Sequence, residues 1–415
     1  MIQTVDTTAG PDPAAEIRNA LTDKLLSTGM ITSPVVERAF RTVPRHRFVP
    51  EGTPLEVAYN ADDSVTIKRD TDGVIISSIS APFIQARMIE QAGLGPGMRV
   101  IEIGSGGCNA ALLAEVVGPF GLVVSIDIDP EVTDRAHMLL EQTGYGDRVR
   151  VVQADAEDGV PGLDDHVDAV IVTVGAWDLA PAWRTHLSPG GTIVVPLGMN
   201  GITRSIGFRR HGDHLVSTSA EVCGFVPMQG AGSHDERIFL LPDGHGHHIR
   251  LRFDGEPPQD MGRLDGVLAT PRAEQWSGIT IRHGVSFADL HLWFACFLPG
   301  FCRLAADEGT DLASNRKSWF PFGAVRSDSF AYLAVRPALE GAGVEFGARA
   351  YGPHGEAAAT ALVEQIQAWD HQARSGPAPS FAYWPAGTAH PPADADTAVL
   401  PKTHGAVTIS WPRAD

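Results

Sequence analysis

Acids and glycines recur in this sequence at a spacing that suits a nucleoside site. The apolar run Val100–Ile103 leads into Gly104 and two further glycines, and a second apolar run ends in Asp127, 23 residues after Gly104. Glycine lets the backbone turn tightly and approach a ligand without a Cβ in the way. An acid at the end of the second strand of such a unit can accept both ribose hydroxyls. The spacing therefore predicts a strand–helix–strand unit that binds a nucleoside.

The order of the glycines narrows the choice of nucleoside. A dinucleotide fingerprint needs a third glycine where the pyrophosphate meets the helix, and Asn109 stands there instead. The run Glu102-Ile-Gly-Ser-Gly-Gly107 resembles the first motif of S-adenosylmethionine-dependent methyltransferases. Taken alone, this run leaves a nicotinamide site or an ordinary strand-to-helix turn open.

A second acid supports the same site. Asp155 ends a third apolar run, where its carboxylate is placed to hydrogen-bond an adenine amino group. One such acid alone is most often a solvated strand end, but two at successive strand ends favour a binding site. The other predicted elements are strands at Val149–Asp155, Val167–Val174 and Ser188–Leu197 and helices at Cys108–Val117 and Pro130–Gly144. Repeated strand–helix units predict an α/β fold with a doubly wound, Rossmann-like parallel sheet and a ligand at its carboxyl edge.

The composition limits the number of domains and the class of partner. The chain has 415 residues, so two or three domains are expected. The formal charge of −18 argues against nucleic acid and against an anionic membrane as the main partner. The N-terminus lacks a basic and apolar signal, and no run of apolar residues is long enough to span a bilayer. We therefore expect a cytoplasmic protein, and the sequence does not decide its oligomeric state.

The cysteines and clustered histidines give weaker signals. Cys108, Cys223, Cys296 and Cys302 form no paired motif, and buried free thiols are expected. Cys108 lies beside the glycines, where packing is a more ordinary role for it than nucleophilic attack. The run Asp243–His248 resembles a flexible boundary loop. Its three histidines lack a nearby cysteine or acid pattern, so no metal site is predicted.

The segment before the sheet is expected to hold helices and an extended stretch. Residues 13–42 predict two helices, the second with Ser33 as N-cap and Pro34 at its first position. An extended, proline-bounded segment follows at Thr42–Pro50, and a further helix begins just after Ser80.

Several of these motifs together resemble the protein-L-isoaspartate O-methyltransferase family over about residues 14–230. The motifs appear in order at Val43–Pro50, Ala58-Tyr59, Ile79–Pro82, Arg87-Met88, Glu102–Gly107, Asn109–Ala114 and Leu187–Gly191. The resemblance implies a carboxyl O-methyltransferase that uses S-adenosylmethionine and releases S-adenosylhomocysteine. The cofactor-binding residues that it implies are Glu102, Gly104, Ser105, Gly106, Gly107, Asn109, Asp127, Ile128, Asp155 and Ala156. The substrate-facing residues that it implies are Ser80, which meets the substrate carboxylate, and Ser78, Ile79, Ala81, Val174 and Gly175.

Carboxyl methylation needs few catalytic side chains. A carboxylate with a pKa near 4 is ionised at neutral pH, so methyl transfer to it needs no general base. The site has to desolvate the nucleophile and align it with the methyl group. A hydroxyl such as that of Ser80, together with backbone N–H groups, can orient the carboxylate. An N-cap role for Ser80 is compatible with this function.

The sequence departs from the family pattern in its glycine run, in the segment after Tyr59 and above all in its length. The glycine run is one residue shorter than usual, and the segment Asn60–Ser64 lacks the usual proline-containing pattern. Residues from about 240 onward have no counterpart in the plain repair enzyme. We expect an N-terminal segment at residues 1–75, a methyltransferase core at 76–238 and a smaller α+β domain at 239–415.

The C-terminal domain is outlined by a few elements. They are strands at Ile249–Phe253, Ser329–Val335 and Val344–Ala350 and helices at Phe287–Ala306 and Glu356–Ala373. Such an added domain resembles the isoaspartyl-methyltransferase-like enzymes of ribosomal peptide pathways, including those that accompany lanthipeptide synthetases. The resemblance implies an aspartate of a modified precursor peptide as substrate, with the ester collapsing to succinimide and then isoaspartate. The alternatives are a general repair methyltransferase and a non-catalytic module that binds peptide or S-adenosylmethionine.

Overall fold

The computed structural model describes residues 13–163, 166–314, 316–339, 341 and 343–412. Contacts divide the chain into two compact units. The first takes in the chain up to Leu197 together with Arg204–Ser233, and the second Gly198–Thr203 together with the chain from His234 onward. The contact boundary therefore lies a few residues before the boundary expected at 239.

The first unit contains seven helices and nine strands among its described residues. The helices are α1 (Ala15–Ser27), α2 (Pro34–Thr42), α3 (Leu55–Ala58), α4 (Pro82–Ala92), α5 (Cys108–Val117), α6 (Pro130–Gln142) and α7 (Pro181–Thr185). The strands are β1 (Val65–Arg69), β2 (Ile75–Ile79), β3 (Arg99–Ile103), β4 (Leu122–Asp127), β5 (Val149–Gln153), β6 (Val167–Val172), β7 (Leu187–Met199), β8 (Ile202–His211) and β9 (His214–Val222).

Seven of these strands form the main sheet of the first unit, in the order β9-β8-β7-β6-β3-β4-β5. Strand β3 lies parallel to both β4 and β6, β4 is parallel to β5, and β6 is parallel to β7. The first strand of this sheet in chain order, β3, therefore lies in its middle, and later strands are added on both sides of it. This is the doubly wound, Rossmann-like arrangement that the sequence predicted. Since β3 is the strand from which the winding reverses, its carboxyl end is the expected place for a ligand.

Local sequence explains where the helices around this edge begin and end. Helix α6 starts at Pro130, and the carboxylate of Asp129 caps it by accepting the Glu131 N–H at 2.9 Å. The helix ends at Gln142, before the expected Gly144, which instead takes a turn conformation with φ of 83°. Ser33 occupies the N-cap position of α2, but its hydroxyl bonds to the Glu90 carboxylate at 3.0 Å rather than to its own helix.

The two-stranded hairpin β1–β2 was not predicted. It pairs Val65 with Ile79 and Arg69 with Ile75 in antiparallel register. Strand β2 leads through Ser80 and Ala81 directly into α4. The hairpin therefore fixes the residues that precede the segment expected to meet the substrate.

The second unit is rich in β-structure. Its helices are α8 (Ala288–Phe297), α9 (Asp311–Ser314) and α10 (Gly355–Gln372). Its strands are β10 (Arg237–Pro242), β11 (His248–Phe253), β12 (Ala273–Arg282), β13 (Phe301–Ala306), β14 (Trp319–Arg326), β15 (Ser329–Pro337), β16 (Gly343–Tyr351), β17 (Ser380–Pro385), β18 (Thr397–Pro401) and β19 (Gly405–Ser410). One sheet has the order β10-β11-β13-β14-β15-β16-β12, and β19 pairs antiparallel with both β18 and β17.

Two predictions for the second unit need correction. The helix expected at Phe287–Ala306 ends at Phe297, because Pro299 and Gly300, whose φ is 73°, turn the chain into β13. The Asp243–His248 run connects β10 to β11 inside this unit rather than marking its boundary. The three strands predicted here are present as β11, β15 and β16, and the helix expected at Glu356–Ala373 is α10.

Candidate active site

A cleft opens at the carboxyl ends of β3, β4, β5 and β6. Six of the residues expected in the site line it, namely Gly104, Asp127, Ile128, Asp155, Ala156 and Val174. Parallel strands end at the same edge of a sheet, and this brings together residues that are far apart in sequence. The structure thus joins both acids and the first glycine in one cleft.

The Asp127 carboxylate is held in place by backbone N–H groups. Ser105 N–H donates to its Oδ2 and Asp129 N–H to its Oδ1, both at 2.9 Å. Burial raises the pKa of Asp127, and the N–H groups of Asp129 and Ser105 oppose that rise. Each carboxylate oxygen has a second lone pair, so Asp127 can also accept hydrogen bonds from a ligand hydroxyl.

Asp155 lies on the far side of the cleft from β3 and has its own backbone donors. Its Oδ1 accepts the Glu157 N–H at 3.0 Å, and its Oδ2 accepts the Ala231 N–H at 2.7 Å. The second bond ties the segment after β9 to the end of β5. Gly230 makes this close approach possible, because a Cβ there would collide with the Asp155 carboxylate.

The space around the first two glycines is tight, and the positive φ of Gly104 also favours glycine. Gly104 has φ of 99°, and a Cβ on it would lie 2.5 Å from the Thr173 hydroxyl oxygen. A Cβ on Gly106 would lie 2.9 Å from Cδ1 of Ile79, at the end of β2. The glycine loop therefore passes in contact with the segment that leads to Ser80.

Several expected cofactor residues, within the glycine loop or directly before and after it, are not among the residues that line the cleft. They are Glu102, Ser105, Gly106, Gly107 and Asn109. Glu102 is fully buried and accepts a hydrogen bond from the Ser125 hydroxyl. Burial raises the pKa of Glu102 to about 7. This carboxyl supports the loop from below, so any effect it has on a ligand is indirect.

The expected substrate segment is held at its carbonyl. Ser80 is half-buried, and its carbonyl oxygen accepts the Nη2 of Arg45 at 2.9 Å. Helix α4 begins at Pro82 with Ala81 at its N-cap position and no side-chain cap, so Ser80 is not the N-cap. Ser78 and Ile79 lie next to Gly106 in the glycine loop, and none of Ser78, Ile79, Ser80 and Ala81 is among the cleft-lining residues.

Val174 and Gly175 follow β6. Val174 lines the cleft, whereas Gly175 pairs with Pro227 in a parallel bridge. Gly175 N–H donates to Val226 O at 2.7 Å, and Met228 N–H donates to Gly175 O at 2.9 Å. This bridge places the segment after β9 over the cleft.

Sequence analysis missed seven further residues that line the cleft, six of them apolar and one an amide. They are Ile76, Ile103, Ile126, Ala154, Pro227, Met228 and Gln229. Ile103 and Ile126 belong to predicted strands, and the apolar run at Val74–Ile76 was a signal for the hairpin strand that carries Ile76. Pro227, Met228 and Gln229 belong to no motif, since the long-range bridge to Gly175 brings them there.

The residues fit a nucleoside cofactor. An apolar cleft with a carboxylate at each of two neighbouring strand ends can take an adenine ring and a ribose, and Gly104 leaves room for close approach. Because the buried Asn109 stands where a dinucleotide loop needs its third glycine, this arrangement suits S-adenosylmethionine better than a dinucleotide.

Other candidate chemistry lies outside this cleft. His247 and His248 pair with Asp243 and Asp307, and the described residues contain no group of three potential ligands placed to hold a metal. Cys108 is a buried free thiol whose pKa is raised by burial, which disfavours the reactive thiolate. Among the described residues, no helix is long and apolar enough to cross a membrane.

Comparison with known proteins identifies a family that matches the first unit. A family model described as protein-L-isoaspartate(D-aspartate) O-methyltransferase matches residues 16–233. A protein-L-isoaspartate O-methyltransferase of Hyperthermus butylicus is 34% identical over 232 residues, which cover 52% of this chain and 89% of that protein. Enzymes of the same name from Methanopyrus kandleri and Korarchaeum cryptofilum are 36% and 34% identical, and the matches cover 51% of this chain and 91% and 96% of those proteins.

Proposed function

The chain belongs to the protein-L-isoaspartate O-methyltransferase family, and we propose that it methylates an aspartate or isoaspartate side chain of a modified, ribosomally made peptide such as a lanthipeptide. It is an S-adenosylmethionine-dependent carboxyl methyltransferase. The observation that carries the proposal is the second compact unit, most of which lies beyond the range matched by the family model, and the close approach of Gly106 to Ile79 supports a substrate site beside the glycine loop.

Different residues of the cleft bind different parts of the cofactor. Asp127 and Asp155 are placed to accept hydrogen bonds from the ribose and the adenine amino group, and Ile76 and Ile128 offer apolar surface to the ring. When bound, S-adenosylmethionine supplies an electrophilic methyl carbon and leaves as S-adenosylhomocysteine. The apolar lining excludes water from the reacting carboxylate, which strengthens its interactions with the few donors present.

Ser80 is the residue we assign to the substrate. Its hydroxyl can donate one hydrogen bond to a carboxylate oxygen and leave the other oxygen free to attack the methyl carbon. The carboxylate is already ionised at neutral pH, so the chain needs no base here. We assign orientation rather than proton transfer to Ser80, with Ser78, Ile79, Ala81, Val174 and Gly175 as its surroundings.

The length of the chain favours a specialised peptide substrate. The relatives match over about nine-tenths of their own length but over only half of this chain. The matched range ends at residue 233, where the second compact unit begins. A unit with its own sheet, absent from repair enzymes that act alone, supports a role in grasping the peptide. The neighbouring backbone nitrogen then attacks the methyl ester and displaces methanol, which closes a succinimide, and water opens that ring to isoaspartate.

Four matched peptides test this function. They share one sequence, are linear or closed by a thioether ring, and carry either aspartate or isoaspartate at one position. Mass spectrometry would follow the ester and the succinimide, and release of S-adenosylhomocysteine would give kcat/KM. We expect the ring-closed peptides to be the preferred substrates. Efficient turnover of the linear isoaspartyl peptide alone would identify a general repair enzyme instead.

A further inference from the structure

Arg45 lies buried beneath the segment that carries Ser80. Its side chain is 4% exposed, and its Nη2 donates to the Ser80 carbonyl at 2.9 Å. Its Nε donates to the carbonyl of Ala58 at 2.6 Å. One guanidinium therefore bonds to the main chain at two places, the end of α3 and the segment before α4.

The cost of burying this guanidinium indicates a specific role. The partners of Arg45 are carbonyl oxygens, an amide oxygen and the Cys108 sulfur, and none of its partners in the described part of the chain is a carboxylate. Burial lowers the pKa of Arg45, as expected for a cation without a counter-ion. A buried charge without an opposite charge costs desolvation free energy, which the hydrogen bonds to these acceptors have to offset. The planar fork of arginine holds several acceptors in one fixed arrangement, which a lysine cannot do.

The remaining arm of Arg45 points toward the glycine loop. Its Nη1 donates to Gln85 Oε1 at 2.6 Å, and Gln85 Nε2 donates to Asn109 Oδ1 at 3.4 Å. Gln85 and Asn109 are both buried, on α4 and in the first turn of α5. The contacts thus lead from the Ser80 peptide group to the helix that begins where the glycine loop ends.

A second set of buried polar side chains supports the cofactor acid. Asn109 Nδ2 and Glu102 Oε1 are both buried, and neither has a hydrogen-bond partner among the described residues. The Ser125 hydroxyl bonds to Glu102 and lies 2.9 Å from the Ser105 hydroxyl. The backbone N–H of Ser105 donates to Asp127. Hydrogen bonds therefore connect Glu102 to the Asp127 carboxylate through Ser125 and Ser105, as a set separate from the contacts of Arg45, Gln85 and Asn109.

We propose that Arg45 is a positioning residue that ties the Ser80 segment, through Gln85 and Asn109, to the glycine loop, so that cofactor binding orders the segment that meets the substrate. The substrate-facing role of Ser80 rests on the proposed function. The hydrogen-bonded link from the Ser80 segment to the glycine loop, called the tie below, belongs to the protein itself. It can be measured without any peptide.

Hydrogen exchange with and without S-adenosylhomocysteine tests the tie. In the wild type, the ligand is expected to slow amide exchange across residues 76–86 by at least about threefold. Gln85→Met keeps the size of the side chain but removes the link between Arg45 and Asn109. It is expected to bind S-adenosylhomocysteine within about threefold of the wild-type affinity and to lose the slowing in this segment.

Gln91→Met is the matched control. Gln91 lies on the same helix, and its amide bonds to Ser205 and Ser219, away from the Ser80 segment. This variant is expected to keep the ligand-induced slowing. If Gln85→Met does not fold, as judged by circular dichroism, Arg45→Lys takes its place in the same comparison.

The outcomes separate this inference from the proposed function. Unchanged slowing in ligand-bound Gln85→Met, or no slowing in the wild type, overturns the tie. Loss in Gln85→Met with retention in Gln91→Met supports it. A wild-type protein that shows the slowing but methylates no peptide counts against the proposed function and leaves the tie standing.

Discussion

Asp127 and Asp155 each use backbone N–H groups of nearby segments to fix their carboxylates. The donors to Asp127 come from the glycine loop and the turn before α6, and one donor to Asp155 comes from the distant Ala231. A carboxylate already held by its own chain loses little side-chain entropy when a ligand binds. At the scale of the residue, the site is therefore organised in advance of its ligand.

Asp127→Asn tests the part played by its charge. The amide keeps one acceptor oxygen but places N–H₂ where a carboxylate oxygen accepted a hydrogen bond. We expect affinity for S-adenosylmethionine, measured by calorimetry, to fall by about tenfold to a hundredfold.

Asp168→Asn is the control for this change. Asp168 lies in β6 and accepts the Arg99 N–H at 2.8 Å, near the start of β3 and away from the cleft. Equal losses of affinity in Asp127→Asn and Asp168→Asn would show that the effect reflects stability rather than ligand contact.

Glu102 predicts a pH dependence of folding. The folded chain raises the pKa of this carboxyl from its ordinary value of 4.5 to about 7 because the group is buried. Between these values the folded state holds a proton that the unfolded state has released. The contribution of Glu102 to stability is therefore complete below pH 4.5 and is lost as pH rises toward 7.

Glu102→Gln removes this titration while keeping the shape of the side chain. Relative to the variant, the wild type should lose up to about 3 kcal/mol of unfolding free energy as pH rises from 4.5 to 7, measured by urea denaturation. Glu364→Gln, at an exposed position on α10, should retain the pH dependence of the wild type. A pH-independent difference between wild type and Glu102→Gln would contradict this account.

At the scale of the element, the hairpin β1–β2 covers one side of the cleft. Lys68 in β1 bonds to the carboxylate of Asp129 at 2.7 Å, next to the cleft residue Ile128. Ile76 in β2 lines the cleft itself. The hairpin therefore supplies apolar surface to the ligand and is anchored where α6 begins.

Ile76→Ala should weaken binding of S-adenosylmethionine by about threefold to tenfold, because part of an apolar contact is lost. Its neighbour Ile75 pairs with Arg69 and does not line the cleft, so Ile75→Ala should leave the affinity within about twofold. Calorimetric titration of both variants checks this. A larger loss in Ile75→Ala than in Ile76→Ala would show that hairpin stability, rather than contact, governs affinity.

The elements that could be predicted were those whose bounds are set by residues close to them in the sequence. Helix α5 has the expected bounds at Cys108 and Val117, because glycines precede it and its residues favour a helix. The helix predicted from Phe287 was extended past Pro299, where the chain turns into a strand. An apolar run alone does not separate a helix from a strand. The segment at Pro227–Gln229 was missed because a bridge to Gly175, far away in sequence, places it.

At the scale of the whole molecule, the chain combines a family fold with a unit that the family does not require. The doubly wound sheet and both acids of its cleft followed from spacing, because parallel strands end at a common edge. The second unit has no such motif, and most of its strands were not predicted, since their pairing is long-range. The sequence is therefore more informative about the cofactor than about the substrate.

The central claim is that methyl transfer goes to a peptide carboxylate oriented by Ser80. The most direct measurement is transfer of a labelled methyl group to the ring-closed peptide by the wild type and by Ser80→Ala, with base lability of the product recorded. A carboxyl methyl ester is lost in mild base, whereas methyl groups on nitrogen or sulfur are retained. We predict a base-labile label and a kcat/KM reduced by about tenfold to a hundredfold in Ser80→Ala, with unchanged cofactor affinity. A base-stable label, or full activity of Ser80→Ala, would contradict the account.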